Sequence, residues 1–374
     1  MKAWTILPRA SVKALGATLC FFLFLIPSVF AGQALSRGLF VCVMQDPPVL
    51  ASRAEIDKLI DFAQKARIHI LFVQIYQSNQ AWFPSKTADD RPYRLNKKNF
   101  SADPFDLLIK KAHQEGIQVH AWINLLSLGN NQNALFLKKY GPGILTRNRR
   151  AKHALKDYKI DDQYFLEPGD PRVRNDLTKI VEEIVRTYPD LDGLEFDYIR
   201  YPDVDPHYGY TPANIERFKK AAGFKGIEEK SPVWNKWRRG QVTAVLAQLA
   251  EKARSLRPDL RISSTGCMPY ERAYYEAFQD WPSWLSTGLI DFVNIMNYSA
   301  DPGEFERWLE AAQSKTTDFK KVNVAIGAYK LARSPQKFAQ ELRYCEEKHS
   351  TCVIFNYGSL RDNPELAKVL QGPL

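Results

Sequence analysis

Two acidic residues stand two positions apart at the end of the apolar segment 191–202. Side chains alternate along a β-strand, so Glu195 and Asp197 would share one face, while Leu194 and Phe196 form the other. Two carboxylates this close repel each other, and burial raises the pKa of at least one of them. A protonated acid beside a second carboxylate is the pair that hydrolysis of a glycosidic bond requires. We therefore predict that Asp197 is a general acid or acid/base and that Glu195 is its electrostatic partner.

Two other interpretations of this pair stay open. The carboxylates could belong to an ion-paired structural cluster with Arg200, a residue that we otherwise expect to orient a sugar. They could also belong to a hydrolytic metal site. The residues of such a site would be Asp197, Glu195, His120 and Asp301. Because only one candidate histidine is available, we expect no metal, and without a Walker loop or a Gly-rich dinucleotide turn we expect no cofactor.

The rest of the sequence alternates short apolar segments with longer amphipathic ones, the pattern of βα units around a parallel sheet. The predicted strands cover residues 39–44, 70–75, 118–123, 191–197, 260–264, 292–296, 322–326 and 353–355. The clearest helices cover residues 55–65, 105–114, 174–187, 234–256, 302–312 and 335–345. Eight units without a break in composition predict an α/β fold, a single (β/α)8 TIM barrel over residues 32–374.

Three predicted connections are longer than idle loops usually are. They follow strands 2, 3 and 4 and cover residues 77–103, 125–170 and 198–232. All three leave the carboxyl ends of their strands, the face of a TIM barrel that carries the active site. We therefore expect these loops to form the walls of a substrate cleft.

Polar and aromatic side chains of two neighbouring strands are expected at the same mouth. His120, Trp122 and Asn124 alternate onto one face of the third strand, and Gln74 and Tyr76 repeat the arrangement on the second. Trp122 could form the floor under a sugar ring. A core histidine beside a core tryptophan is the alternative interpretation.

Further substrate-binding candidates come from loops and later strands. Trp82 and Tyr201 could complete an aromatic cleft, although Trp82 could equally belong to a surface loop or lid. Asn294 and Tyr298 share a face of the sixth strand, which we expect to point inward. Tyr329, after the seventh strand, is the last candidate.

The segment 192–202 resembles the DG-x-x-x-D-Y-x-x-YP signature of the glycosyl-hydrolase-like TIM-barrel family that includes the bacterial peptidoglycan hydrolase DigH. Segments 72–85, 103–124, 166–174 and 237–239 resemble other parts of that family, and the likeness spans roughly residues 37–330. Two positions depart from the family pattern. Members often carry His where this chain has Glu195, and Leu-Asn-Pro-Gly is more usual where this chain has Glu167. The resemblance implies a TIM-barrel glycosidase and supports the reaction class better than the substrate.

The sixth strand also resembles that of chitinase-type barrels, which ends in Met-x-Tyr-Asp. Here Met296 and Tyr298 are followed by Asp301. In that clan the tyrosine helps to hold the N-acetyl group of the substrate while this group attacks as the nucleophile. The chain lacks the Asp-x-x-Asp-x-Asp-x-Glu motif of the clan, so substrate assistance is a hypothesis for an N-acetylated sugar.

Residues 1–31 have the layout of a secretory signal, in which three cations precede an apolar stretch that ends at Ala31. We expect cleavage after Ala31 and a periplasmic or secreted protein; an uncleaved membrane anchor is the alternative. Loss of Lys2, Arg9 and Lys13 would lower the formal charge from +10 to +7. This charge could attract the protein to an anionic envelope surface or simply be a solvated basic face.

Four cysteines would remain after cleavage. Cys345 and Cys352 could be bridged, whereas Cys42 and Cys267 fit buried thiols. No nucleic-acid motif accompanies the basic charge. The sequence thus predicts an exported glycoside hydrolase with a glycan as its partner, peptidoglycan strands or a related amino-sugar polymer by resemblance and compartment. A non-catalytic carbohydrate-binding barrel is the alternative.

Overall fold

The eight predicted strands pair side by side and close into a barrel. The computed structural model describes residues 36–150, 154–223, 227, 231–348 and 350–372, so the expected signal segment and its cleavage position lie outside the described residues. The strands are β1 (Arg37–Val41), β2 (Ile70–Gln77), β3 (Gln118–Asn124), β4 (Gly193–Asp197), β5 (Arg261–Gly266), β6 (Phe292–Asn297), β7 (Val322–Gly327) and β8 (Cys352–Phe355). Each strand pairs in parallel with the next, and β8 pairs with β1. The predicted (β/α)8 TIM barrel is confirmed.

Helices follow the strands and cover the barrel. Within the described residues they are α1 (Arg53–Lys65), α2 (Arg91–Lys97), α3 (Pro104–Gln114), α4 (Leu135–Tyr140), α5 (Pro171–Thr187), α6 (Pro212–Ala222), α7 (Pro232–Leu256), α8 (Tyr270–Tyr275), α9 (Trp281–Ser286), α10 (Pro302–Gln313), α11 (Pro335–Glu347), α12 (Tyr357–Arg361) and α13 (Pro364–Gln371). The six predicted helices all form. Local sequence fixes where they begin: the Ser52 side chain, for example, accepts a 3.2 Å hydrogen bond from the backbone N–H of Glu55 at the start of α1.

Two apolar layers surround the strands. Leu194 and Phe196 of β4 belong to the outer layer between strands and helices, as their alternation predicts. The inside of the barrel holds a smaller cluster that includes Phe40, Phe72 and Trp122, with the Phe40 ring centroid 5.0 Å from each of the other two rings. These rings fill the barrel interior, so open space exists only toward its ends.

The long connections after β2, β3 and β4 fold into structure of their own. The first contains α2, and the second contains α4 and a short hairpin of Lys159–Ile160 and Gln163–Tyr164. The third contains α6. All three start where a barrel strand ends, as the sequence predicts. The connections after β3 and β4 line the carboxyl-terminal mouth of the barrel, whereas the connection after β2 contributes only Gln77.

A disulfide joins Cys345, on α11, to Cys352, the first residue of β8, with a Cα–Cα distance of 6.1 Å. Cys267 is a buried free thiol as expected. Cys42 differs from the expectation, because it is only half-buried and reaches the barrel mouth. Among the described residues, no helix has the length and apolar character needed to span a membrane.

Candidate active site

A cavity of about 560 Å³ opens at the carboxyl-terminal mouth of the barrel. Its lining combines acidic, basic and aromatic side chains from several strands and from the loops after β3 and β4. Six of the residues predicted to bind a sugar line this cavity: Gln74, Trp122, Asn124, Arg200, Tyr298 and Tyr329. Asp197, predicted to carry the chemistry, lines it as well. Active sites of TIM barrels lie at this face, which makes the cavity the candidate active site.

Asp197 is the last residue of β4 and is held by donors from three directions. Its Oδ2 accepts a 3.0 Å hydrogen bond from the indole Nε1–H of Trp122. Its Oδ1 accepts hydrogen bonds from the Thr265 hydroxyl at 2.6 Å and from the backbone N–H of Tyr198 at 2.7 Å. The side chain is 6% exposed, so its direction in the cavity is fixed by these contacts rather than by solvent.

The backbone turns sharply directly after Asp197. Tyr198 has a φ of 54°, in the left-handed region that non-glycine residues seldom adopt. This conformation ends β4 and turns the N–H of Tyr198 onto the preceding carboxylate. The strain is therefore located at the residue that orients Asp197, which is where functional sites often carry it.

Arg200 lies beside Asp197 with its guanidinium almost fully buried. Its Nη1 is 3.7 Å from Oδ1 of Asp197, and its Nε is 3.7 Å from Oδ1 of Asp203. The guanidinium carbon lies 4.3 Å from the centre of the Tyr198 ring. These distances are too long for hydrogen bonds but suit charge pairing and cation–π contact.

Glu195 lies one layer deeper than Asp197 and does not line the cavity. A short hydrogen bond joins the Ser263 hydroxyl to its Oε2. Burial, with a smaller contribution from the Asp197 charge, raises the pKa of Glu195 to about 8 despite this bond. The sequence expected one of the two carboxyls to be protonated near neutral pH, and the buried position of Glu195 gives it that property.

His120 and Asn294 also point into the barrel but lie beneath the cavity. The His120 ring is 5.3 Å from the ring of Phe72, and its ring nitrogens have no hydrogen-bond partner within the described residues. Burial and the Arg261 charge lower the pKa of His120 to about 3, so the ring is neutral. Asn294 accepts a 2.9 Å hydrogen bond from the Asn323 amide. We expected these two residues to bind sugar at the mouth, but they lie in the barrel interior.

Three predicted aromatic contacts are placed elsewhere. The ladder between β2 and β3 is irregular between Gln74 and Tyr76, so Tyr76 turns outward and bonds Asn79 instead of sharing the face of Gln74. Trp82 packs in the outer apolar layer, away from the cavity. Tyr201 is buried behind the mouth, where its hydroxyl donates to Oε1 of Glu167. The expectation that these side chains form an aromatic cleft is therefore wrong.

The residues of the alternative metal site are not brought together. Asp301 caps α10 by accepting a 2.7 Å hydrogen bond from the N–H of Glu304. His120 and Glu195 lie below the cavity, whereas Asp197 lines it. Within the described part of the chain, no group of three or more His, Cys, Asp or Glu side chains is arranged to hold a metal ion.

Several cavity residues were not predicted. Thr265 follows Ser263 at strand spacing on β5, so alternation along that segment could have indicated it. Asp203 and Arg272 come from loop and short-helix positions that carry no strand pattern. Phe355 ends β8 and lies in the aromatic wall, with its ring centroid 5.2 Å from that of Tyr298.

The wall opposite Arg200 is aromatic. Tyr298 is half-buried, and its pKa is raised well above its usual value by its apolar surroundings and by the Asp197 charge, so its hydroxyl keeps its proton. Tyr329 packs edge-on against Tyr298 at a centroid distance of 6.0 Å and is 47% exposed at the rim. A carboxyl, an arginine and a ring wall in one cavity can bind a polyhydroxylated ring and move a proton at its edge.

Comparison with known proteins agrees with this arrangement. The sequence matches the family described as Glycosyl hydrolase-like 10 over residues 37–341. The chain belongs to the glycosyl hydrolase-like 10 family. Within curated proteins, it is 26% identical over 259 residues to glycosyl hydrolase DigH of Escherichia coli strain K12, which covers 64% of this chain and 56% of DigH. It is 24% identical over 267 residues to glycosyl hydrolase YngK of Bacillus subtilis strain 168, which covers 66% of this chain and 49% of YngK.

This member of the glycosyl hydrolase-like 10 family therefore spans about half the length of the curated relatives that it matches. The family match and these relatives support a glycoside hydrolase.

Solved structures share the fold. An α-L-fucosidase of Paenibacillus thiaminolyticus superposes with a TM-score of 0.59 at 15% identity over 90% of this chain and 48% of its own. The catalytic domain of a β-amylase of Paenibacillus polymyxa superposes with a TM-score of 0.58 at 10% identity, over 88% of this chain and 94% of its own.

Proposed function

We propose that this protein hydrolyses glycosidic bonds in a cell-envelope or extracellular amino-sugar glycan, such as peptidoglycan strands. The observation that carries the proposal is Asp197, a carboxyl group held by Trp122, Thr265 and the Tyr198 backbone at the edge of a cavity of sugar-binding size. In this proposal Asp197 acts as the general acid, or as acid and base in turn, toward the glycosidic oxygen.

The fixed contacts of Asp197 suit proton transfer. Oδ2 accepts one hydrogen bond, from Trp122, and so retains a lone pair that can carry a proton. Oδ1 already accepts two hydrogen bonds and anchors the group. A glycosidic oxygen that approaches Oδ2 would therefore meet a correctly aimed donor without any rearrangement of the carboxyl, which lowers the cost of reaching the transition state.

The opposite wall suits the sugar itself. The protonated Tyr298 hydroxyl can donate to an N-acetyl carbonyl or a ring hydroxyl, and Tyr329 offers an exposed ring face at the rim. An N-acetylated sugar held by Tyr298 is also what the resemblance to chitinase-type barrels would require. The preference for an amino-sugar glycan rests on these contacts and on the family resemblance.

Export forms part of the proposal. The pattern of residues 1–31 is that of a secretory signal, and the Cys345–Cys352 disulfide is of a kind that persists in oxidising compartments. A periplasmic or secreted location would place the protein beside cell-envelope glycans. The basic charge would favour contact with an anionic envelope surface.

A carbohydrate-binding barrel without turnover is the second candidate. The observation that favours it is Glu195, which was expected beside Asp197 but lies below the cavity and does not line it. A cavity without the expected Glu195 partner could bind a sugar without cleaving it. The two candidates differ in what the loss of the Asp197 charge does: an enzyme loses turnover and keeps binding, whereas a binding barrel has no turnover to lose.

The test compares wild type, Asp197→Asn and the surface control Asp259→Asn. Each purified protein is incubated with sacculi and with denuded peptidoglycan glycan strands, products are identified by mass spectrometry, and strand binding is measured by co-sedimentation. The proposal expects short-glycan products from wild type and control only, with binding retained by all three. Release of the same amount of short-glycan product by Asp197→Asn would show that Asp197 is not the general acid. Binding without release by wild type would favour the binding barrel.

A further inference from the structure

The geometry points to Asp203 as the second carboxylate of the reaction and its general base, whereas the sequence favoured Glu195 as the electrostatic partner of Asp197; this inference rests on the proposed function. Glycoside hydrolysis by acid/base catalysis uses a pair of carboxyl groups that face one substrate. A group that serves as the second member must reach the cavity, and Glu195 does not.

Three acidic side chains line the cavity: Asp161, Asp197 and Asp203. Asp161 lies at the exposed turn of the short hairpin, and within the described residues no ion pair or hydrogen bond holds its carboxylate. Asp203 is different, because its side chain is only 18% exposed and is held on two sides. A group used in catalysis must be held in place, which singles out Asp203 as the partner of Asp197.

Two arginines hold Asp203. Arg272, on α8, donates from Nη2 to the Asp203 carboxylate and from Nε to its backbone carbonyl at 3.1 Å. Arg200 brings its Nε to 3.7 Å from Oδ1 of the same carboxylate. Both guanidinium groups place positive charge next to the Asp203 carboxylate and hold it at the cavity.

Arg200 also sets the spacing between the two carboxyls. Asp197 lies 3.7 Å from its Nη1 and Asp203 lies 3.7 Å from its Nε, so one rigid guanidinium separates them. Both carboxyls line the same cavity, so one bound substrate can contact both of them.

The step follows from these charges. Asp203 accepts a proton from water as the water oxygen bonds to the anomeric carbon. The bond from that carbon to the glycosidic oxygen breaks, and Asp197 donates its proton to the departing oxygen. The proton gained by Asp203 then returns to Asp197 through solvent. Glu195 is neutral beneath the cavity near neutral pH, so it adds no negative charge next to this pair.

The test uses denuded peptidoglycan strands with wild type, Asp203→Asn, Asp203→Ala and the same-loop control Asp205→Asn. Asp205 bonds the His207 backbone and does not line the cavity. We expect Asp203→Asn to lower kcat by roughly 10²–10⁴-fold with KM within a few-fold, as for the loss of a general base. Sodium formate or azide should restore turnover to Asp203→Ala, because a small anion can occupy the space of the lost carboxylate. The control should match wild type.

A purely structural role gives a different result. If Asp203 only anchors its loop, both variants would melt at lower temperature, and formate or azide would restore no turnover. That result, or near-normal kcat for Asp203→Asn beside an inactive Asp197→Asn, overturns the role of Asp203 and leaves the proposed function standing. Absence of turnover by wild type overturns both.

Discussion

The indole Nε1–H of Trp122 on β3 donates a 3.0 Å hydrogen bond to Oδ2 of Asp197 on β4. The two strands are neighbours in the barrel, so the bond crosses a single ladder. Trp122 also packs on Phe40 within the barrel interior, which immobilises the indole. The aromatic core of the barrel thus helps to orient the carboxyl group of the candidate acid.

Trp122→Phe should test this link, because it keeps an aromatic ring and removes the N–H donor. A hydrogen bond to a charged group contributes about 1.5–3 kcal/mol, so we expect kcat on glycan strands to fall roughly 10- to 150-fold. KM should change less, since binding by the rim is unaffected. Trp308→Phe is the matched control, because Trp308 lines the same cavity without a hydrogen bond to Asp197. Equal losses in both variants would contradict the alignment role.

Glu195 should make stability depend on pH. Its pKa is about 8 in the folded protein and 4.5 ordinarily, so the folded state holds more protons across that interval. The free energy of unfolding should therefore fall as pH rises from about 4.5 to about 8, by on the order of a few kcal/mol, and level off above. The amide of Glu195→Gln stays neutral at every pH. Urea denaturation at several pH values should therefore show a smaller decrease in the free energy of unfolding for this variant than for wild type.

Glu341 provides the comparison for that experiment. It is buried on α11 and does not line the cavity, and burial raises its pKa to about 8 as well. Glu341→Gln should also flatten the pH dependence of stability, but it should leave turnover unchanged because Glu341 does not line the cavity. A wild-type stability that is constant from pH 5 to pH 8 would contradict both pKa shifts.

Gly193→Ala should destabilise the barrel beneath the cavity. A Cβ at this first residue of β4 would collide with the His120 ring and lie 2.8 Å from the backbone carbonyl of Arg261. Overpacking of this kind costs roughly 1–3 kcal/mol, measurable by urea denaturation. Gly240→Ala in α7, where a Cβ meets nothing within 4 Å, should instead stabilise by roughly 0.5–1 kcal/mol. A neutral result at Gly193 would mean that His120 can move.

Loss of the disulfide should weaken the fold without affecting the cavity. Cys345 and Cys352 are seven positions apart, and closing so short a loop stabilises by roughly 2–3 kcal/mol. The double Ala variant should lose about that much unfolding free energy while its turnover at low temperature matches wild type. Wild type treated with a reductant should behave like the double variant, and Cys42→Ala, which keeps the disulfide, should lose as much stability on reduction as wild type does. Unchanged stability of the double variant would contradict the expectation.

Regular elements could be predicted from the sequence because they follow periodicity. The eight strands, the closing barrel and the inward direction of Asp197 all come from alternation along apolar segments. The depth of a residue inside the barrel has no such signal. Alternation correctly turned Glu195 and His120 inward, but it could not reveal that they lie a layer below Asp197.

Irregular backbone explains the other misplacements. The break in the β2 ladder after Gln74 depends on how neighbouring strands pair, and it turned Tyr76 outward. Asp203 lies in a loop, and its position in the cavity depends on Arg272, which is distant in the sequence. Contacts of this kind arise from tertiary structure, so no local pattern in the chain could have indicated them.

The left-handed turn at Tyr198 has one more consequence. The hydrogen bond that it directs to Oδ1 of Asp197 comes from the backbone, and any residue other than proline supplies the same donor. Residues that tolerate a positive φ, such as Gly, Asn or His, can therefore replace the Tyr198 side chain, which lines the cavity, while the acid keeps this anchor. Related proteins can therefore differ in the sugar that this part of the cavity prefers, and the substitutions that separate them need not disturb the orientation of the acid.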